Sequence, residues 1–164
     1  MISYDEAGLA ASPPVQRSGS PLGKPPLTTP EHPQRVSVRG ALNFAHPQLI
    51  HQQAVGTVKR PTLVAFIDPM LLHVAPSQPT FIVLDNAKIH HGLDDEITPR
   101  WLTMHNTSLV YLPPYRPELN MIEILWKQAQ YHGREFVTWS KDSFRFEVAA
   151  LLDGFGTKFQ TNFN

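Results

Sequence analysis

Asp85, Asn86 and His90 follow the apolar run Phe81–Leu84 in the block FIVLDNAKIHHG. Glu123 lies in a second block, LVYLPPYRPELNMIEILWK, with thirty-seven residues between it and Asp85. An aspartate at the end of a strand and a glutamate at the start of a helix can meet at one edge of a sheet, where the active sites of open α/β folds are built. Asp5, after the short stretch Met1–Tyr4, is a third carboxylate placed at an element's end. Three such groups brought together repel one another unless a cation neutralises them. An all-oxygen donor set suits Mg²⁺ or Mn²⁺. Two of these ions, about 3.5–4 Å apart, activate a water or hydroxyl and stabilise the leaving oxygen of a phosphodiester. The chemistry within reach of these residues is that of a metal-dependent nuclease.

Spacing alone leaves other readings open. Any chain with fourteen acidic residues contains an Asp…Asp…Glu triple. Asn120-x-x-Glu123 has the form of a capping box with Glu123 at its third helical position, and on spacing alone that reading is favoured. Asp85-Asn86 is also a strand-to-turn signal. His90 can be a histidine with a satisfied hydrogen bond, and Leu112–Tyr115 a rigid loop entry.

The elements that would position these groups follow from periodicity. Thr80–Leu84 is short, continuous and β-branched, as expected of a strand covered on both faces. Asn120–His132 places Ile122, Leu125, Trp126 and Ala129 on one stripe of a helix. Arg35–Phe44 and Leu49–Val55 read as a hairpin. Pro61–Ala75 has near-helical spacing, with Pro69 expected to kink or shorten it. A helix around Leu93–Met104, a strand at Ser108–Leu112 and a last helix at Lys141–Leu152, capped by Ser140 and ended by Gly154, complete the order. Early antiparallel strands followed by alternating helices and strands imply a mixed sheet with helices on both faces. Met1–Tyr4 is too short for a central strand, which gives the expectation that the chain starts late, inside an element. Eight of the sixteen prolines lie between residues 12 and 47, so a surface loop is expected at about 10–34.

Composition sets the class. With 164 residues, 41% hydrophobic and 17% charged, the chain suits a single globular domain. No apolar run approaches the ~20 residues needed to span a bilayer, and Met1–Ala10 lacks the basic and apolar regions of a secretory signal. The absence of cysteine excludes thiolate zinc sites and cysteine nucleophiles. A cytosolic protein is expected. Fourteen Lys and Arg balance fourteen Asp and Glu, so the basic excess usual in self-sufficient DNA-binding proteins is missing.

The two blocks carry a resemblance. Asp85-Asn86-Ala87-Lys88-Ile89-His90 and Leu112–Lys127 resemble the D-N-A-x-x-H and L-P-P-Y-x-P-E-L-N-x-I-E-x-x-W-K signatures of the mariner-type DDE transposase superfamily, in its bacterial insertion-sequence branch. Asp5-Glu6 is similar to that family's first catalytic aspartate and the glutamate after it. The resemblance runs from Asp5 to about Trp126. It departs at Gly19, where the family commonly has Trp, and at Met121, where it commonly has Pro; the family's helix-turn-helix modules have no match. It implies a ribonuclease H-like α/β fold, a mixed five-stranded sheet flanked by helices, with residues 1–164 as one catalytic domain, truncated at its N-terminus. It implies Asp5, Asp85 and Glu123 as catalytic residues and ligands of two Mg²⁺ or Mn²⁺ ions. Asn86, His90, Arg116 and Asn120 would stand behind the ligands or face DNA. The implied activity is cleavage at transposon ends and strand transfer into target DNA. The chain would work as a homodimer on the bacterial nucleoid in the cytoplasm, with a helix-turn-helix part encoded separately. Another ribonuclease H-like nuclease, and an inactive remnant or interaction module, are the alternatives.

Overall fold

The computed structural model describes residues 1–10, 35–46, 48–54, 60–86, 93, 95–114, 116–133 and 141–158. Five strands, β1 (Ile2–Ala10), β2 (Arg35–Asn43), β3 (Gln48–Ala54), β4 (Thr80–Leu84) and β5 (Thr107–Tyr111), form one sheet in the order β3-β2-β1-β4-β5. β1–β2 and β2–β3 are antiparallel, whereas β1–β4 and β4–β5 are parallel. The helices are α1 (Arg60–Leu71), α2 (Ile97–His105), α3 (Ile122–Gly133) and α4 (Lys141–Asp153), with a 3-10 turn at Pro117–Leu119. Among the described residues, no helix is long and apolar enough to cross a membrane.

Alternation along β1 divides the core in two. Ile2 and Tyr4 join Phe66 and Ile67 of α1 and Trp101 of α2 on one face. Leu9 joins Leu125 and Trp126 of α3 and Phe144 and Val148 of α4 on the other. The sheet is therefore mixed and covered by helices on both faces, as expected.

The clearest departure concerns β1. Met1–Tyr4 is no fragment: the strand runs for nine residues, occupies the centre of the sheet and pairs with β2 from Ile2↔Asn43 to Ala10↔Arg35. Asp5, Glu6 and Gly8 have poor strand propensity, and a full-length partner on β2 overrides it. Asp5 consequently sits within a central strand, not after one. Of the proline-rich segment expected at about 10–34, Ala10 closes β1 and the remainder lies outside the described residues, as do Val55, His90 and Ser140.

Pro69 is accommodated inside α1, which ends two residues later at Leu71. The α2 helix starts at Ile97, later than expected. Leu93 is buried ahead of it, and its carbonyl accepts the N–H groups of Ile97 and Thr98. Pro99 then falls in the first turn, where the missing N–H costs nothing.

Candidate active site at the centre of the sheet

Asp5 is odd-numbered on β1, so its side chain shares a face with Leu9 and looks toward α3. Its cross-strand partner on β2 is Gly40, which in turn pairs with His51 on β3. On the other side, β1 meets β4 in the register Ser3↔Val83. Carried on by two residues, that register brings Asp5 level with Asp85, one position past the end of β4. The Leu112 N–H donates to the Leu84 carbonyl at 2.9 Å, so ladder pairing holds up to the residue before Asp85.

Glu123 arrives from α3. The N-terminal approach to that helix is tied to β1 by Asn120, whose Nδ2 donates to the Tyr4 carbonyl at 3.2 Å. Asn120 is buried, and its Oδ1 has no hydrogen-bond partner. The capping box favoured by spacing is thus not formed: Asn120 turns its amide to the central strand and its oxygen caps no N–H of α3. Glu123 is half-buried on the first turn of the helix.

These placements act on Asp5. Its side chain is buried, and Oδ2 has no hydrogen-bond partner. Burial first, and then the charges of Glu123, Asp85 and Glu6, raise its pKa from 3.8 to about 7 against a lowering hydrogen bond from the Glu6 backbone N–H. Asp5, Asp85 and Glu123 therefore lie in one electrostatic neighbourhood. Among the described residues, no three His, Asp or Glu side chains are close enough to hold a metal ion as they stand. The buried, partnerless oxygen of Asp5 and an all-carboxylate donor set fit a hard divalent cation.

The other expected residues divide. Asn86 is half-buried directly after Asp85. Arg116 is not brought to the carboxylates; it is exposed, and its Nη1 donates to Glu118 Oε1 at 3.2 Å on the surface. His90 lies outside the described residues. Gly40 had not been singled out, although a glycine inside a strand is itself a signal of close approach. The Trp126 and Ile122 side chains of α3 lie directly over it.

A mixed sheet of this order, with helices on both faces and a buried aspartate on its central strand, is a ribonuclease H-like fold. The pattern of the family described as DDE superfamily endonuclease matches residues 1–144, and the chain belongs to that family. Its endonucleases generally use divalent metal ions. Solved structures show the same fold. The Mos1 strand transfer complex matches with a TM-score of 0.66 and 14% identity, over 93% of this chain and 46% of that one. The Mos1 transposase paired-end complex with the left transposon end matches with a TM-score of 0.59 and 13% identity, over 93% and 47%. The simian T-cell lymphotropic virus intasome in complex with the PP2A regulatory subunit B56 gamma gives 0.58 and 8%, over 99% and 50%. The chain thus spans about half the length of the solved chains it matches. No curated protein matches it. The fold is the one shared by these solved structures.

Proposed function

We propose that this chain is the catalytic core of a DNA transposase, residues 1–164 forming one domain that cleaves transposon ends and joins them to target DNA. The observation that carries this reading is the state of Asp5: buried on the central strand, with a partnerless oxygen, in the field of Asp85 and Glu123. Asp5, Asp85 and Glu123 would hold two Mg²⁺ or Mn²⁺ ions. The ions, when bound, supply activation of the attacking oxygen and charge stabilisation of the leaving one. Asp5, on which the charges of both Glu123 and Asp85 act, would be shared by the metal site as a whole. Asn120 fixes the approach to α3, and with it the height of Glu123 over β1. Its free Oδ1 is an acceptor for a water held near the site. Asn86, at the end of β4, would border the DNA, and the family resemblance gives His90 the same role. Arg116, paired with Glu118, would reach a phosphate only by exchanging that surface partner.

In the first step water attacks a phosphorus at the transposon end; the P–O3′ bond breaks, and the freed 3′-oxygen takes up a proton. That 3′-hydroxyl then attacks a target phosphodiester, forming one P–O bond as another breaks and losing its proton as the target 3′-oxygen gains one. Carboxylates carried on β1, at the end of β4 and on α3 would hold both events at one place. The reading includes a homodimer acting on paired ends, a helix-turn-helix part supplied separately, and a nucleoid location in the bacterial cytoplasm.

The test is Mg²⁺- or Mn²⁺-dependent nicking of DNA carrying the element's ends. Asp85→Asn keeps the size of the side chain and removes its charge. It should lower nicking by about a hundredfold or more, beyond the usual cost of disturbing a merely supporting group. Equal activity of the two proteins would rule out the assigned site.

A further inference from the structure

Gly40 is the direct cross-strand partner of Asp5 and lies on the same face of the sheet, beneath α3. A Cβ at this position would come within 2.8 Å of Trp126 Cη2, 2.9 Å of Trp126 Cζ2 and 3.2 Å of Ile122 Cδ1. Those two side chains are fully buried, so neither can swing into solvent to make room. The indole Nε1 of Trp126 has no hydrogen-bond partner, so packing holds the ring in place. Trp126 follows Glu123 by three residues, one turn along a continuous helix. The height of α3 over the sheet and the reach of Glu123 toward Asp5 are therefore set by the same contact.

We infer that Gly40 is a positioning residue for the carboxylate site: the absent side chain lets Trp126 seat against β2 and thereby fixes the distance of Glu123 from Asp5. The inference rests on the metal-site reading above. Restoring ordinary van der Waals separation to an added methyl moves the indole by about 0.7 Å or more. Metal sites tolerate about 0.2 Å in their ligand distances. A rigid helix cannot absorb the difference between residues 126 and 123.

The experiment compares Mn²⁺ half-saturation, read by calorimetry on protein shown to be folded by circular dichroism, in wild type, Gly40→Ala, the double variant Gly40→Ala/Trp126→Phe, and Val38→Ala. Phe lacks the outer ring atoms that the new methyl would strike. Gly40→Ala is expected to weaken half-saturation by about ten-fold or more, the scale on which lost support of metal ligands acts, with the double variant returning to within about three-fold of wild type. Val38 is buried two residues away on the same face; its truncation should lower the melting temperature and leave half-saturation in place. If Gly40→Ala does not fold, the double variant is compared directly with wild type on the same criterion. An unshifted Gly40→Ala, an unrescued double variant, or an equal shift in Val38→Ala overturns the inference. A wild type that binds no metal overturns the functional reading and the inference together, which separates the two failures.

Discussion

Charging Asp5 without a cation is costly, and its sign can be read in a pH experiment. The folded carboxyl keeps its proton up to about pH 7, whereas the unfolded one releases it near 3.8. Between these values the folded state binds more protons, so stability falls as pH rises and levels off above the folded pKa. The loss attributable to this group is on the order of a few kcal/mol. In chelator, Asp5→Asn should therefore flatten the decline between about pH 4 and pH 7 and be the more stable protein at and above the upper end. Urea unfolding across the range measures both. A variant less stable than wild type at high pH would mean that the buried carboxylate carries no such cost. At this scale the sequence was informative where the words around a residue are unusual: the blocks around Asp85 and Glu123 pointed to the family that the chain belongs to. It misled where only local spacing spoke. Asn120-x-x-Glu123 has the letters of a capping box, yet the Asn120 amide goes to the Tyr4 carbonyl, 116 residues away in sequence. Arg116 is an exposed arginine that donates to Glu118 on the surface, a pairing that no motif announces.

Helices α1 and α2 are joined by one carboxylate. Asp68 Oδ1 accepts from Trp101 Nε1 at 2.7 Å and from Arg100 Nη2 at 2.6 Å. The two donors are unequal. Trp101 is buried, while Arg100 and Asp68 are about two-fifths exposed in their side chains. Exposed ion pairs contribute about 0–1 kcal/mol, whereas a buried donor left without a partner costs about 1–3 kcal/mol. Asp68→Ala should accordingly destabilise by about 1–3 kcal/mol and Arg100→Ala by under about 1 kcal/mol, measured by chemical unfolding. A larger loss from Arg100→Ala would reverse this ranking of the two donors. The existence of these helices was legible from apolar spacing, but their ends were not. Leu93 fits the stripe of α2 and is buried with it, yet it precedes the first turn and serves as acceptor for it. Pro69 looked like a breaker, but a helix that ends two residues later loses little by carrying it. β1 was cut short for a related reason: its weak strand formers are held by pairing with β2, and long-range pairing leaves no mark in the strand itself.

For the molecule as a whole, a mixed sheet with helices on both faces followed from the alternation of elements, and its five strands from the family resemblance. The central position of β1 did not follow, because it depends on which strands β1 joins. β2 and β4 meet on either side of it, one antiparallel and one parallel, and that junction puts Asp5 between Gly40 and Asp85. The same scale governs how the chain meets DNA. Its formal charge is zero, with fourteen cationic and fourteen anionic side chains. The acidic neighbourhood of Asp5 repels phosphate until cations occupy it, so affinity for duplex must come from few contacts. Each neutralised phosphate adds about 0.9 to the fall of log K with log salt. This chain should show a slope no steeper than about −4, with binding that strengthens when Mn²⁺ replaces chelator. Fluorescence anisotropy over a potassium chloride series gives the slope directly. A value near −8 would require about nine phosphate contacts. That outcome would reveal a basic surface that a neutral chain had concealed by segregation of its charges, and it would overturn the expectation of a core that holds DNA mainly through its metal site.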